Sequence, residues 1–140
     1  MLEVNFDEVV QRIVVGDPRY HPDSYGFLRE ALDFTQKQIG RENHGRVRHV
    51  TGQELLQGIR EFALAQFGPM ARTVLEEWGV HSCADFGEMV FNMVESGLLS
   101  KTDKDSRVDF QDGYDFTEAF CRPYWPQNRQ IPSAKPASDR

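Results

Sequence analysis

Histidine and cysteine residues are the first candidates for chemistry, because their spacing could allow them to hold a metal ion. A zinc site needs four such ligands, usually arranged as two close pairs. His81 and Cys83 form one close pair, while His44 and His49 lie five residues apart in a polar stretch. The sequence contains no second close pair to complete the ligand set. We therefore expect no metal site, and we interpret these side chains as helix-cap and surface residues.

A series of aspartates between residues 103 and 115 raises the question of a calcium site. An EF-hand loop starting at Asp103 would need an acid or amide at position 107, glycine at 108 and glutamate at 114. The sequence has Arg107, Val108 and Tyr114 there, so the calcium loop is excluded. Outward-facing residues of a polar hairpin explain these acids better.

Motifs of the common enzyme classes are missing from the sequence. It contains no P-loop, no G-x-G-x-x-G, no G-x-S-x-G and no H-E-x-x-H. Glu76 and Glu77 are adjacent in a predicted helix, where neighbouring side chains point apart, so they do not form a paired-carboxylate site. We expect no catalytic residue and no cofactor, and a function other than catalysis. A small-molecule binder or an enzyme of unknown type stays open as an alternative.

Basic residues cluster in one place, between positions 37 and 49. A loop of this kind could bind an anion, so a nucleic-acid-binding function that uses it stays open as an alternative. The overall charge argues against that function, because the chain carries a net charge of −6 and eleven of its acids lie within residues 76–118. Such a surface repels a phosphate backbone, and nucleic acid is not the expected partner. The candidate anion-binding residues are Lys37, Arg41, Arg46, Arg48 and His49.

Length and composition indicate one globular domain. A chain of 140 residues with 39% hydrophobic residues is long and apolar enough to form its own core. Cys83 and Cys121 lie far apart, which favours a reducing compartment. Arg12 interrupts the apolar stretch near the N-terminus, and no segment approaches the roughly 20 apolar residues that a membrane span needs. We therefore expect a cytoplasmic protein without membrane contact.

Apolar residues at helical spacing, with recognisable ends, predict five helices. Thr51 and Glu54 are spaced as a capping box at the start of the third helix. Gly97 followed by Leu98 is typical of the glycine-dependent ending of a helix. The predicted helices cover Phe6–Val15, Asp23–Ile39, the stretch between Thr51 and Gly68, Pro69–Trp78, and the stretch from Ser82 to Ser96.

Beyond residue 97 the pattern changes to an imperfect alternation of apolar and polar residues. We predict two strands, within residues 98–102 and 107–116, joined by a polar turn. The predicted fold class is therefore α+β, mainly α, with about five helices followed by a C-terminal β-hairpin. Residues 1–120 would form the single domain and residues 121–140 a proline-rich irregular tail, although Phe120, Tyr124 and Trp125 could dock on the body.

The order of a short helix, a longer helix and a hairpin also resembles a winged helix-turn-helix. In that arrangement the fifth predicted helix would take the recognition position. A helix that reads DNA needs basic or amide groups aimed at base edges. The fifth helix offers only Asn92 and no lysine or arginine, so the sequence is a poor match for a DNA reader.

The outward side of the fifth predicted helix favours a protein partner instead. Phe91 lies off the core stripe beside Glu88, Asn92 and Glu95, and Leu64 lies off the stripe of the third helix. An apolar residue with a polar rim is typical of an interface anchor, although both side chains could instead pack beneath another element. We predict a non-enzymatic protein interaction or regulatory module that binds a protein partner or a second copy through these residues.

Two stretches of the sequence resemble a known group of proteins. HVTGQELLQGIREFALAQFGPMARTVLEEWGV and DFGEMVFNMVESGLLSKTDKDSRVDFQDGYDF resemble a small uncharacterised family associated with planctomycetes and verrucomicrobia. The likeness covers roughly residues 23–120 and leaves the proline-rich tail outside. It implies a bacterial cytoplasmic protein of unknown function and supplies no catalytic or binding residue.

Overall fold

The computed structural model of the chain describes residues 5–42, 50–99, 107–111 and 113–126. Every regular element in these ranges is helical. The five α-helices are α1 (Phe6–Gly16), α2 (Pro22–Glu42), α3 (Gly52–Phe67), α4 (Ala71–Glu77) and α5 (Cys83–Glu95). Short 3-10 turns cover Gly68–Met70, Arg107–Phe110 and Arg122–Tyr124, and a π-helical turn covers Thr117–Cys121.

The helices begin and end close to where local sequence signals predicted them. Thr51 Oγ1 accepts a hydrogen bond from the Glu54 N–H at 3.1 Å, and the Glu54 carboxylate accepts one from the Thr51 N–H at 3.0 Å. This reciprocal capping box confirms the predicted start of α3. Gly97 has a φ of 83°, and the Leu98 N–H donates to the Met93 carbonyl at 2.8 Å, which confirms the predicted end of α5.

Helix α2 lies between α1 and α3 and packs on both. The contact with α3 is close because Gly58 faces Thr35. A Cβ on Gly58 would overlap the Thr35 hydroxyl, which itself donates to the Ala31 carbonyl at 2.8 Å. A larger residue at position 58 would therefore push the two helices apart.

The predicted α+β fold with a C-terminal β-hairpin is wrong for the described residues. Positions 107–110 form a 3-10 turn and positions 117–121 a π-helical turn, and no strand occurs in 98–99, 107–111 or 113–126. Phe110 is buried against Gly87, where a Cβ would lie 2.8 Å from the Cβ of Phe110. The apolar alternation therefore reflects side chains that dock singly on α3 and α5, not a pleated strand. The winged-helix interpretation depended on this hairpin as the wing, so the described residues do not support it. Residues 100–106 and Asp112, which belong to the predicted hairpin, lie outside the described residues.

The residues after the expected hairpin belong to the core as far as the π-helical turn. Phe120 is fully buried, whereas Tyr124 and Trp125 are about half exposed. Arg72 holds this turn on α4, since its Nη1 donates to Thr117 Oγ1 at 2.7 Å. The described chain thus continues on the body to residue 126, and residues 127–140 of the expected tail lie outside the described residues.

Candidate functional site

An open groove of about 640 Å³ is bounded by α1, α2, α3 and Trp78. Phe27, Phe62, Phe67 and Trp78 form its floor. The Phe27 ring is central to them, with ring centroids 5.5 Å from Phe62, 5.6 Å from Phe67 and 5.6 Å from Trp78. Phe27 is buried and the other three rings are only half buried, so the floor presents aromatic surface to solvent.

Carboxylates surround this aromatic floor. Asp7 of α1 and Asp23 and Glu30 of α2 line the groove, and all three residues are exposed. No lysine, arginine or histidine lines it in the part of the chain that the structure describes. The only ion pair of these carboxylates among the described residues joins Asp23 Oδ2 to His21 Nδ1 at 3.7 Å. We call this feature the acidic groove.

Helix geometry explains how the sequence builds the groove. Asp23, Phe27 and Glu30 are spaced i, i+4 and i+7, which places them along one edge of α2. Gly26 lies on the same edge and also lines the groove. A Cβ on Gly26 would meet no atom within 4 Å, so the missing side chain leaves space open above the aromatic floor.

The sequence alone did not predict the groove. The usable signal was the edge of α2, where two acids flank a glycine and a phenylalanine at helical spacing. The other boundaries of the groove, α1 and Trp78, come from parts of the chain distant from α2 in sequence or on another face.

Two residues of the predicted interaction surface on α5 belong to a polar network within the molecule. Arg19 forms a two-point contact with Asp17, Nε to Oδ1 at 2.8 Å and Nη2 to Oδ2 at 2.7 Å, and its Nη2 also reaches Glu88 at 3.3 Å. Asn92 Nδ2 donates to Asp17 Oδ2 at 3.0 Å and to the Tyr25 hydroxyl at 3.1 Å. The Arg19 guanidinium holds the pKa of the Asp17 carboxyl well below its usual range. Glu88 and Asn92 thus help to fasten the α1–α2 connection to α5.

The other three members of that predicted surface differ in exposure. Phe91 is 39% exposed and Glu95 is exposed, while Leu64 is partly buried and packs on the core from α3. Whether Phe91 contacts a partner stays a prediction.

Replacement of Phe91 by aspartate should leave the fold intact, because a partly exposed side chain adds little to stability, about 1 kcal/mol or less. If Phe91 anchors a partner or a second copy, the same substitution should abolish that association. Urea denaturation and analytical ultracentrifugation of the variant test both statements. A Phe91→Asp variant that unfolds would show that Phe91 is a core residue and that the predicted surface is wrong.

The predicted anion-binding loop lies largely outside the described residues, which include only Lys37 and Arg41 of its five members. Lys37 Nζ pairs with Asp33 Oδ2 at 3.1 Å, and both side chains are exposed. Arg41 is exposed in the last turn of α2. Arg46, Arg48 and His49 are not among the described residues, so this loop stays a prediction.

Two observations from the described ranges concern possible metal ligands and thiols. No group of three or more histidine, cysteine, aspartate or glutamate residues within them is placed to hold a metal ion. Cys83 is buried, its Sγ donates to the Tyr114 carbonyl at 3.4 Å, and burial raises the pKa of its thiol to about 11. A thiol with such a pKa is a poor nucleophile at neutral pH.

Among the described residues, none of the helices combines the length and apolar character needed to cross a membrane.

Comparison with known proteins gave no relative for this chain: no protein-family model, no curated protein and no solved structure matches it. The resemblance to the planctomycete and verrucomicrobial family therefore stays a prediction.

Proposed function

We propose that this protein is a non-enzymatic interaction module that binds a cationic segment of a protein partner in the acidic groove. The observation that supports this proposal is a partly exposed aromatic floor with three carboxylates around it and, among the residues that the structure describes, no cation in the lining. The aromatic floor and the carboxylates both favour a cationic ligand. Aromatic faces attract cations through the ring quadrupole, and carboxylates pair with them directly.

An arginine or lysine side chain fits this arrangement better than a simple ion. Its aliphatic stem can pack on Phe62, Phe67 and Trp78 while the charged end reaches the carboxylates at the edge of the groove. Each exposed ion pair contributes only about 0.2–1 kcal/mol, and each cation–π contact about 0.5–1 kcal/mol. Useful affinity therefore requires several cations in one segment, and it should fall as salt concentration rises.

The open form of the groove favours a polypeptide segment over a small molecule. A drug-sized ligand usually has 70–90% of its surface buried in its pocket. The acidic groove instead lies along the outer edge of α2 between α1 and α3, where an extended or helical segment could run across it. Its three carboxylates also disfavour phosphate-bearing ligands, including nucleic acids.

The first prediction for this function concerns charge. Reversal of two groove carboxylates, Asp23→Lys with Glu30→Lys, should weaken binding of a fluorescein-labelled nona-arginine peptide about tenfold, since two attractions become repulsions. Fluorescence anisotropy at several salt concentrations measures the dissociation constant. A nona-glutamate peptide should not bind to the unmodified chain.

The matched control makes the same change of net charge at two residues that do not line the groove. Glu8 lies in the first turn of α1 as Asp23 does in α2, and Glu77 lies exposed at the end of α4. Glu8→Lys with Glu77→Lys should retain most of the affinity. Equal losses in both double variants would mean that the peptide responds only to overall charge, and the proposal would fail.

A second test blocks the same groove with an uncharged side chain, so that loss of binding cannot come from a change of charge. Gly26→Leu adds a side chain where no atom lies within 4 Å of the new Cβ, so it should block the groove without disturbing α2. Gly40→Leu makes the same change on α2 at another open position outside the groove. Loss of peptide binding in Gly26→Leu but not in Gly40→Leu would support the groove as the binding site.

A further inference from the structure

The aromatic floor of the acidic groove forms a corner and not one flat surface. The ring planes of Phe67 and Trp78 stand 79° apart, with their centroids separated by 5.8 Å. The Phe27 ring packs against both, tilted by 30° from Phe67 and by 50° from Trp78. A compact cation in such a corner can contact more than one ring at the same time. Its attraction to the rings strengthens as water is excluded from the contact.

The hydrogen-bond acceptors of the groove belong to its exposed residues and not to the aromatic floor. In the described part of the chain, the polar lining residues besides the three carboxylates are Gln11 and Gln66, and both are exposed. The phenylalanine rings have no acceptor, and the indole N–H of Trp78 can only donate. A cation with N–H groups would therefore lose water on the floor without gaining acceptors in exchange, which is unfavourable.

The cations found in proteins differ in the size of this penalty. A lysine ammonium has three N–H donors and an arginine guanidinium has five, so their charged ends should stay near the carboxylates at the edge of the groove. A trimethylated lysine keeps its positive charge but has no N–H donor. It can leave water for the aromatic corner without an unsatisfied donor, and aromatic rings are well suited to bind such quaternary ammonium groups.

From the ring geometry, the position of the acceptors and the charge of the groove, we propose that the aromatic floor binds a trimethylated lysine side chain of the protein partner. This inference rests on the proposed function of the groove and names the residue that it recognises. The trimethylammonium group would lie in the corner between Phe67 and Trp78, while neighbouring cations of the same segment pair with the carboxylates. Methylation of the partner would then control its association with this protein.

Three fluorescein-labelled nonapeptides test the inference, each with four arginines around one central residue. The central residue is lysine, trimethyllysine, or the neutral analogue in which carbon replaces the quaternary nitrogen. In fluorescence anisotropy, the trimethyllysine peptide should bind the full-length chain about tenfold more tightly than either of the others. Equal binding of the lysine peptide would overturn the inference. Equal binding of the neutral analogue would also overturn it, because the site would then recognise shape without charge.

Trp78→Leu removes one wall of the corner, and Trp125→Leu is the matched control, because Trp125 is exposed and does not line the groove. The preference for trimethyllysine should be lost in Trp78→Leu and kept in Trp125→Leu. Circular dichroism checks that Trp78→Leu is folded.

A second readout leaves the corner intact and does not depend on the folding of Trp78→Leu. The chain has two tryptophans, so Trp78 is the only one in a Trp125→Phe variant. Addition of the unlabelled trimethyllysine peptide should change the fluorescence of Trp78. Unchanged emission at a saturating peptide concentration would place the ligand elsewhere and overturn the inference.

Gly26→Leu separates failure of this inference from failure of the proposed function. If all three peptides bind the native chain equally but lose binding in Gly26→Leu, the groove binds cationic segments and the preference for trimethyllysine is wrong. If Gly26→Leu changes the binding of neither these peptides nor nona-arginine, both proposals fail. Free choline that competes as well as the trimethyllysine peptide would make a small quaternary amine the ligand and overturn the inference.

Discussion

Replacement of Phe120 by alanine is expected to lower the free energy of unfolding by about 3–5 kcal/mol, the usual cost of emptying a buried aromatic position. Phe120 is 0% exposed, and it packs edge-on against Phe116 at 5.1 Å and Tyr114 at 5.8 Å between ring centroids. These contacts join the π-helical turn to the segment that precedes it, so their loss should loosen the whole C-terminal part of the described body. Urea denaturation followed by circular dichroism measures the change.

The same truncation at Phe91 provides the control, because Phe91 is 39% exposed and sits on α5. Phe91→Ala should cost about 1 kcal/mol. If Phe120→Ala were no more destabilising than Phe91→Ala, the π-helical turn would not belong to the cooperative core.

Local signals allowed the helices to be predicted from sequence because the interactions that define their ends lie within four or five residues. The Thr51–Glu54 capping box and the glycine ending at Gly97 are both hydrogen-bonded as the spacing implies. Such signals depend on backbone geometry common to all helices. They therefore hold whatever packs around the helix.

The C-terminal part of the chain could not be predicted in this way, because distant residues decide its conformation. Phe110 fits against Gly87, and a Cβ on Gly113 would lie 2.5 Å from the Sγ of Cys83. The Tyr114 hydroxyl donates to the Leu56 carbonyl at 2.8 Å. Alternating apolar residues look the same whether they form a pleated strand or dock singly on helices, so the pattern alone predicted a hairpin that the described residues do not form.

The acidic groove could be predicted only in part from the sequence, because its floor also depends on the packing of distant residues. The spacing of Asp23, Phe27 and Glu30 shows that they share one edge of α2. Helical periodicity does not show which apolar residues stay partly uncovered once neighbouring helices have packed. The meeting of Phe62, Phe67 and Trp78 around Phe27 depends on how α3 and α4 lie against α2, which the sequence pattern does not specify.

The second large effect is expected for Gly79→Ala, which should lower the free energy of unfolding by about 2–5 kcal/mol, since backbone strain adds to overpacking. Gly79 ends α4 with a φ of 93°, a conformation that residues with a side chain rarely adopt. A Cβ at this position would also overlap the carbonyl oxygen of Arg19. The α1–α2 connection would have to move away from α4, although the His21 N–H bonds the Trp78 carbonyl at 3.0 Å and the adjacent Tyr20 is buried.

Gly97→Ala separates the two causes, because Gly97 ends α5 with the same hydrogen-bond pattern and a φ of 83° but has no atom within 4 Å of the Cβ position. Gly97→Ala should lower the free energy of unfolding by about 1–2 kcal/mol, the cost of the backbone strain alone. The difference between the two variants in urea denaturation then measures the overlap with Arg19 alone. Equal losses would mean that residues 17–21 do not pack tightly on the end of α4. Since Trp78 precedes Gly79 and forms part of the floor, that result would also weaken the case for a preformed acidic groove.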